Sequence, residues 1–235
     1  MPTPVLALAT LLTSALVVAT PLTWQAGRTG RSVLPALGRA VQSPTHDQAA
    51  LDARVKAFLA ERAGTWRDLN VPDVDGQTLH DLIVKNRYTR ALEIGTSTGH
   101  SGIWIAWALS KTGGKLVTVE LDEGRHKEAK ANFDKAGLAR YVDARLGDAH
   151  AIVPALEGPF DFVFSDADKD WYPNYFRAVF PKLVKGGVFT THNVSESGRR
   201  GAMGSREYLA VLRATPGADT TVDERGGGLA ITYKR

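Results

Sequence analysis

Residues Arg90-Ala-Leu-Glu-Ile-Gly-Thr-Ser-Thr-Gly-His-Ser-Gly102 decide how this chain is read. A short apolar run carrying Glu93 breaks into a loop of small residues, the pattern of a buried strand turning sharply into a helix, here spanning Ile103 to Ser110. Gly95 and Gly99 allow the backbone to come close to a ligand. The loop is not the dinucleotide fingerprint, because Gly-x-Gly-x-x-Gly needs a second glycine two residues after the first, and Ser97 stands there. Glu-x-Gly-x-x-x-Gly suits a nucleoside-type cofactor without a pyrophosphate, of which S-adenosylmethionine (SAM) is the common one. Taken alone, the same residues also suit an ordinary strand-to-helix turn.

The chain beyond the loop alternates strands with helices. Lys115 to Leu121 reads as the second strand and delivers Glu120, with Asp122 beside it as a helix cap. An acid at the carboxyl end of that strand is placed to accept hydrogen bonds from ribose hydroxyls, at close to the spacing such a site requires. Glu123 to Ala136 is a charged-faced helix stopped by Gly137. Tyr141 to Leu146 is the third strand, after which Asp148 either meets an adenine amino group or caps the short helix through Leu156.

Phe160-Asp-Phe-Val-Phe-Ser-Asp166 is the fourth strand and carries Asp166 to its carboxyl end, followed by Asp168, Lys169 and Asp170 and then a helix from Trp171 to Leu183. The fifth strand, Gly187 to Thr191, delivers His192 and Asn193 to the same edge, where open α/β sheets bind their ligands. Asp166, His192 and Asn193 are therefore expected to converge. Asp and Asn oxygens suit Mg, Ca or Mn, whereas an imidazole shifts preference toward Zn, Fe or Mn. A polar, glycine-rich loop, Ser195 to Ser205, is expected over the site, and two final strands, Asp219 to Asp223 and Leu229 to Tyr233, flank the turn Gly226-Gly-Gly228 and should lie antiparallel.

Two helices precede the first strand. One is expected from about Thr45 through Trp66, and the other after the loop Asn70-Val-Pro-Asp-Val-Asp-Gly76. They either cover an edge of the sheet or wall the ligand cavity. Upstream, Val5 to Thr20 carries no charge, while Arg28, Arg31 and Arg39 all follow it. The apolar segment, 1–26, reads as a membrane anchor, a signal peptide or a soluble leader, with 27–44 as linker and 45–235 as one folded domain. As an anchor it would leave the rest of the chain cytoplasmic by the positive-inside rule. The 235 residues suffice for one sizeable core, and a net charge of +4 spread among scattered acids disfavours nucleic acid. With no cysteine in the chain, disulfides, thiolate metal sites and a cysteine nucleophile are excluded.

From about Ser43 to Arg235 the chain resembles the small class I SAM-dependent O-methyltransferases related to catechol and caffeoyl-CoA O-methyltransferases. Ala91 to Ser101, Val119-Glu-Leu-Asp122, Phe160 to Lys169 and Gly186-Gly-Val-Phe-Thr-Thr-His-Asn193 carry the likeness. The resemblance implies a Rossmann-like α/β fold with a seven-stranded, mostly parallel sheet, its last strand antiparallel and helices on both faces. It implies that Glu93, Gly95, Ser97 and Ser101 line the methionine part of SAM, with Gly99 in the same loop, that Glu120 binds the ribose, and that Asp148 and Ala149 border the adenine. Asp166 matches a residue of both the cofactor site and the metal site, Asn193 a metal-binding asparagine, and Lys169 the lysine that takes the proton from the acceptor hydroxyl. His192 stands where metal-dependent members carry a second aspartate. Either the site keeps a metal (Mg, Mn or Zn), or it works without one and His192 becomes a base or hydrogen-bond donor. The implied reaction is methyl transfer from SAM to a hydroxyl of a small phenolic, catechol-like acceptor, by a homodimer; a catalytically altered, membrane-tethered SAM-binding protein is the alternative. Nicotinamide chemistry is disfavoured by the missing second glycine.

Overall fold

The computed structural model describes residues 46–66, 69–196 and 205–235. The apolar segment 1–26, the linker 27–44 and most of the expected loop between Ser195 and Ser205 lie outside them. Among the described residues no helix is long and apolar enough to cross a membrane.

Helices α1 (His46–Arg62) and α2 (Asp73–Asn86) precede β1 (Arg90–Ile94), and the chain continues through α3 (His100–Thr112), β2 (Lys115–Glu120), α4 (Glu123–Ala136), β3 (Val142–Leu146) and α5 (Ala149–Ala155). β4 (Phe160–Ser165), α6 (Tyr172–Val179), β5 (Leu183–His192), α7 (Ser205–Ala214), β6 (Ala218–Asp223) and β7 (Leu229–Lys234) complete it. The seven strands lie in the order β3-β2-β1-β4-β5-β7-β6, parallel except β7, which runs antiparallel to both neighbours. The fold is the Rossmann-like one that the sequence implied. Strand order reverses between β1 and β4, which opens a crevice at their carboxyl ends.

Side-chain alternation explains why the sheet is covered on both faces. Leu92, Ile94 and Val163 pack with Phe176 and Phe189 in one core, whereas Ala91, Phe162 and Phe164 pack with Leu79, Ile83 and Ile105 in another. Burying one such phenylalanine contributes roughly 2–3 kcal/mol. A third core joins Val55 and Phe58 of α1 to Trp104, Trp107 and Phe133.

Several boundaries differ from the sequence reading: α1 ends at Arg62 rather than near Trp66, α3 starts at His100 rather than Ile103, and β5 starts at Leu183 rather than Gly187. Only Asn70 to Pro72 of the stretch before Gly76 is loop, because α2 already starts at Asp73. Pro72 presets φ at −59°, and Asp73 and Asp75 lie in the first turn, where the helix dipole favours negative charge. Gly76 is tolerated inside the helix because a Cβ there would collide with the Trp104 ring. The expected helix from Trp171 to Leu183 ends at Val179, followed by a short 3-10 turn, Phe180–Lys182, containing Pro181, while Leu183 already belongs to β5.

Candidate active site

The loop after β1 is drawn onto the end of β4. Gly95 has φ +94°, and a Cβ on it would lie 2.7 Å from the Asp166 carbonyl oxygen, so both backbone angle and space require glycine. The Gly95 and Thr96 amides donate to the Val119 carbonyl, at 3.1 and 3.2 Å, which fastens the loop to β2 as well. The Ser97 amide then donates to Glu120 Oε2 at 2.7 Å, and the Asp122 amide donates to Glu120 Oε1 at 3.0 Å. Glu120 is thereby held with its carboxylate on the wall of a cavity of about 680 Å³. Asp122 caps α4 by accepting from the Arg125 amide at 2.8 Å.

Gly95, Ser97, Ser101, Glu120, Asp148 and Ala149 share this wall with Asp166, Lys169, His192 and Asn193. Asp148 also accepts from the His150 amide at 2.8 Å, so it caps α5 while facing the cavity. Glu93 and Gly99 stand elsewhere. Glu93 is fully buried behind the wall, its oxygens accepting from Ser101 Oγ and Thr118 Oγ1, each at 2.6 Å. Burial raises its carboxyl to about 7, and the two hydroxyl donors, which pull the other way, do not offset it. Gly99 occupies the N-cap position of α3 and abuts Phe133 and Ala129. Glu93 thus holds the start of α3 from behind through the Ser101 hydroxyl, and Gly99 lets that start pack closely on α4.

At the β4 and β5 end, Lys169 Nζ donates to Asp166 Oδ1 at 2.5 Å and to Tyr172 Oη at 2.8 Å. Tyr172 Oη donates to the His192 carbonyl at 3.0 Å, and burial, then the Asp166 charge, hold its hydroxyl well above the ordinary range. The His192 ring lies between two carboxylates, with Nδ1 3.1 Å from Asp166 Oδ2 and Nε2 3.0 Å from Asp75 Oδ2. Burial alone would lower its affinity for a proton, but hydrogen bonds to Asp166 and Asp75 and their charges outweigh it and raise the imidazole to about 9. Each ring nitrogen is directed at a carboxylate oxygen, so neither lone-pair direction points to open space that a metal could share. Asp166 is likewise taken, since each of its oxygens already faces a cationic nitrogen. Asp166, His192 and Asn193 therefore line one cavity as expected, but Asp166 and His192 are tied to Lys169 and Asp75 in a hydrogen-bonded ion-pair chain, a donor set that does not fit a divalent cation.

Asp75 was missed in the sequence because its segment read as a loop. The run Gly226-Gly-Gly228, read there only as a turn, held the signal: a Cβ on Gly226 would strike the Asp75 carboxylate, one on Gly227 would lie 2.5 Å from His192 Nε2, and the Gly227 amide donates to Asp75 Oδ2 at 2.7 Å. Asp168 was legible as an acid at the edge, but not its partners: Tyr175 Oη donates to Oδ1 at 2.7 Å and His150 Nε2 lies 2.9 Å from Oδ2, with the His150 ring stacked on Trp171. A smaller cavity, about 240 Å³, shares Lys169 and Asn193 with the larger one and is walled by Tyr172, Pro173, Tyr208 and Val211.

A doubly wound sheet with a glycine loop, a strand-end acid and a cavity at its switch point defines a nucleoside-cofactor protein of the Rossmann-like class. Residues 43–212 match the model of the O-methyltransferase family, and the chain belongs to that family. It is 37% identical over 166 residues, 66% of this chain and 75% of the relative, to a catechol O-methyltransferase of Niastella koreensis. It is 34% identical over 183 residues, 74% of this chain and 83% of the relative, to one of Mycobacterium tuberculosis. The O-methyltransferase of Bacillus cereus, solved in complex with S-adenosylhomocysteine (SAH), superposes with a TM-score of 0.64 at 27% identity, covering 83% of this chain and 94% of that one.

Proposed function

We propose that this chain transfers the methyl group of SAM to the hydroxyl of a small phenolic, catechol-like acceptor. The observation that carries the reading is that Lys169 and Asn193 line both cavities at once, so one amine faces both the larger, cofactor-sized space and the smaller, aromatic-walled one. In the larger cavity Gly95, Ser97 and Ser101 would take the methionine part, Glu120 the ribose hydroxyls, and Asp148 and Ala149 the adenine border. A Glu93 role is indirect, through the Ser101 hydroxyl that it holds. Acceptor rings suit the smaller cavity, between Tyr172, Tyr208 and Val211.

A phenol with a pKa of about 10 is a weak nucleophile at neutral pH and must lose its proton as the methyl approaches. Lys169, as the neutral amine, takes that proton. The phenolic oxygen then forms a bond to the methyl carbon, the carbon–sulfur bond breaks, and its electron pair returns to sulfur to leave neutral SAH. Lys169 is left as an ammonium beside Asp166 and Tyr172, which accept its hydrogen bonds. Holding acceptor and cofactor in line supplies much of the remaining acceleration.

Incubation with methyl-labelled SAM and a panel of catechols and other phenols tests the reading. The expected result is labelled aryl methyl ether and SAH in equal amounts. SAM binding without ether formation from any hydroxylated aromatic would overturn it.

A further inference from the structure

Asp75 reaches the edge from α2, His192 from β5 and Asp166 from the end of β4, so three elements distant in sequence supply one hydrogen-bonded chain. Asp75 is 1% exposed and His192 5%. A carboxylate that deeply buried is found with a compensating partner, and its partners here are the His192 ring and the Gly227 amide. The space for this arrangement exists only because Gly226 and Gly227 lack side chains.

We infer that the Asp75–His192–Asp166 chain takes the place of a divalent cation in this site, with His192 as a resident cation beside Asp166 and Asp75 as its positioning residue. The inference rests on the proposed methyl transfer and deepens it. Charges decide it: the carboxylates of Asp75 and Asp166 are balanced by the His192 imidazolium and the Lys169 ammonium, so the group is neutral as built. An aspartate in place of His192 would leave a net charge of minus two, which is what one divalent cation offsets. Asp166 bridges the two cations, its Oδ2 facing the His192 ring and its Oδ1 accepting from Lys169 Nζ, so the ring shares the carboxylate that holds the amine. Asp75 fixes the ring by accepting from Nε2, which leaves Nδ1–H directed at Asp166.

The full chain saturated with SAH is titrated with Mn2+ by electron paramagnetic resonance, for wild type and His192→Asp. Wild type should show no Mn2+ uptake at millimolar concentration, and His192→Asp should gain at least about tenfold in affinity. One tightly bound Mn2+ on wild type would overturn the inference. Nitrogen-15 spectra of the His192 ring should show both nitrogens protonated; a free ring nitrogen would overturn it too. Neither readout needs an acceptor, so failure of the methyl-transfer reading stays distinguishable. In turnover, EDTA should leave the wild-type rate unchanged, and Asp75→Asn should lower kcat about 10- to 100-fold with SAM affinity retained. Loss of wild-type turnover in EDTA with recovery in Mg2+ counts against it. If Asp75→Asn fails to fold, the spectra and His192→Asp still decide.

Discussion

The two halves of the sheet's carboxyl edge hold their acids in opposite ways. On the cofactor side, β1 and β2, Glu93 and Glu120 are held by neutral donors: the hydroxyls of Ser101 and Thr118, and the amides of Ser97 and Asp122. On the acceptor side, β4 and β5, Asp166 and Asp75 are held by the nitrogens of Lys169 and His192. Neutral donors do not fully compensate a desolvated carboxylate, which is why Glu93 rises to about 7, whereas cations compensate it and are themselves stabilised, which is why His192 rises to about 9. On the proposed function, one half presents acceptor oxygens to a bound ribose and the other moves a proton.

The contrast can be broken most directly at Lys169. Lys169→Met removes the only proposed proton acceptor that lines both cavities, and kcat should fall roughly 10³-fold while SAM affinity, read by calorimetry, moves little. Turnover within a few-fold of wild type would end the base assignment.

Glu93 tests the cofactor half through pH. Its folded-state value lies above the ordinary 4.5, so the folded chain binds this proton more tightly than the unfolded chain does. The stabilisation is fully present below about pH 4.5 and is lost as pH rises through about 7. Urea unfolding of the cofactor-free protein should show wild type losing on the order of 3 kcal/mol across that window relative to Glu93→Gln. Parallel curves for the two proteins would refute the assignment.

Glu120→Gln should weaken SAM binding about 10- to 100-fold, with kcat at saturating SAM largely kept, because a charge-assisted bond to the ribose is lost and the acceptor half is untouched. A fall in kcat alone would place Glu120 in the chemistry instead. The smallest effect belongs to the turn shared by the last two strands. Gly227→Ala puts a Cβ 2.5 Å from His192 Nε2 and should cost about 1–3 kcal/mol in urea unfolding. If stability and turnover are both unchanged, close packing at this turn does not hold the ring.

The elements around the glycine loop were legible because strand alternation, helix stops and caps are local signals: β1, β2, α4 and β4 stand where the pattern placed them, and Asp122 and Asp148 cap the helices that follow them. The start of α2 was not, because Gly76 reads as a breaker and its real constraint, the Trp104 ring, lies in α3. Asp75 was lost with it.

Sequence by itself determined the class of fold, the family, and the arrival of Glu120, Asp166, His192 and Asn193 at one sheet edge, since parallel strands send their carboxyl ends the same way. Only the tertiary structure decided what those residues do to one another. Glu93 turns behind the wall and the His192 ring faces a carboxylate from a helix 117 residues away. Whether a histidine beside an aspartate is a ligand, a base or a fixed cation depends on what touches its second nitrogen, and that contact is non-local.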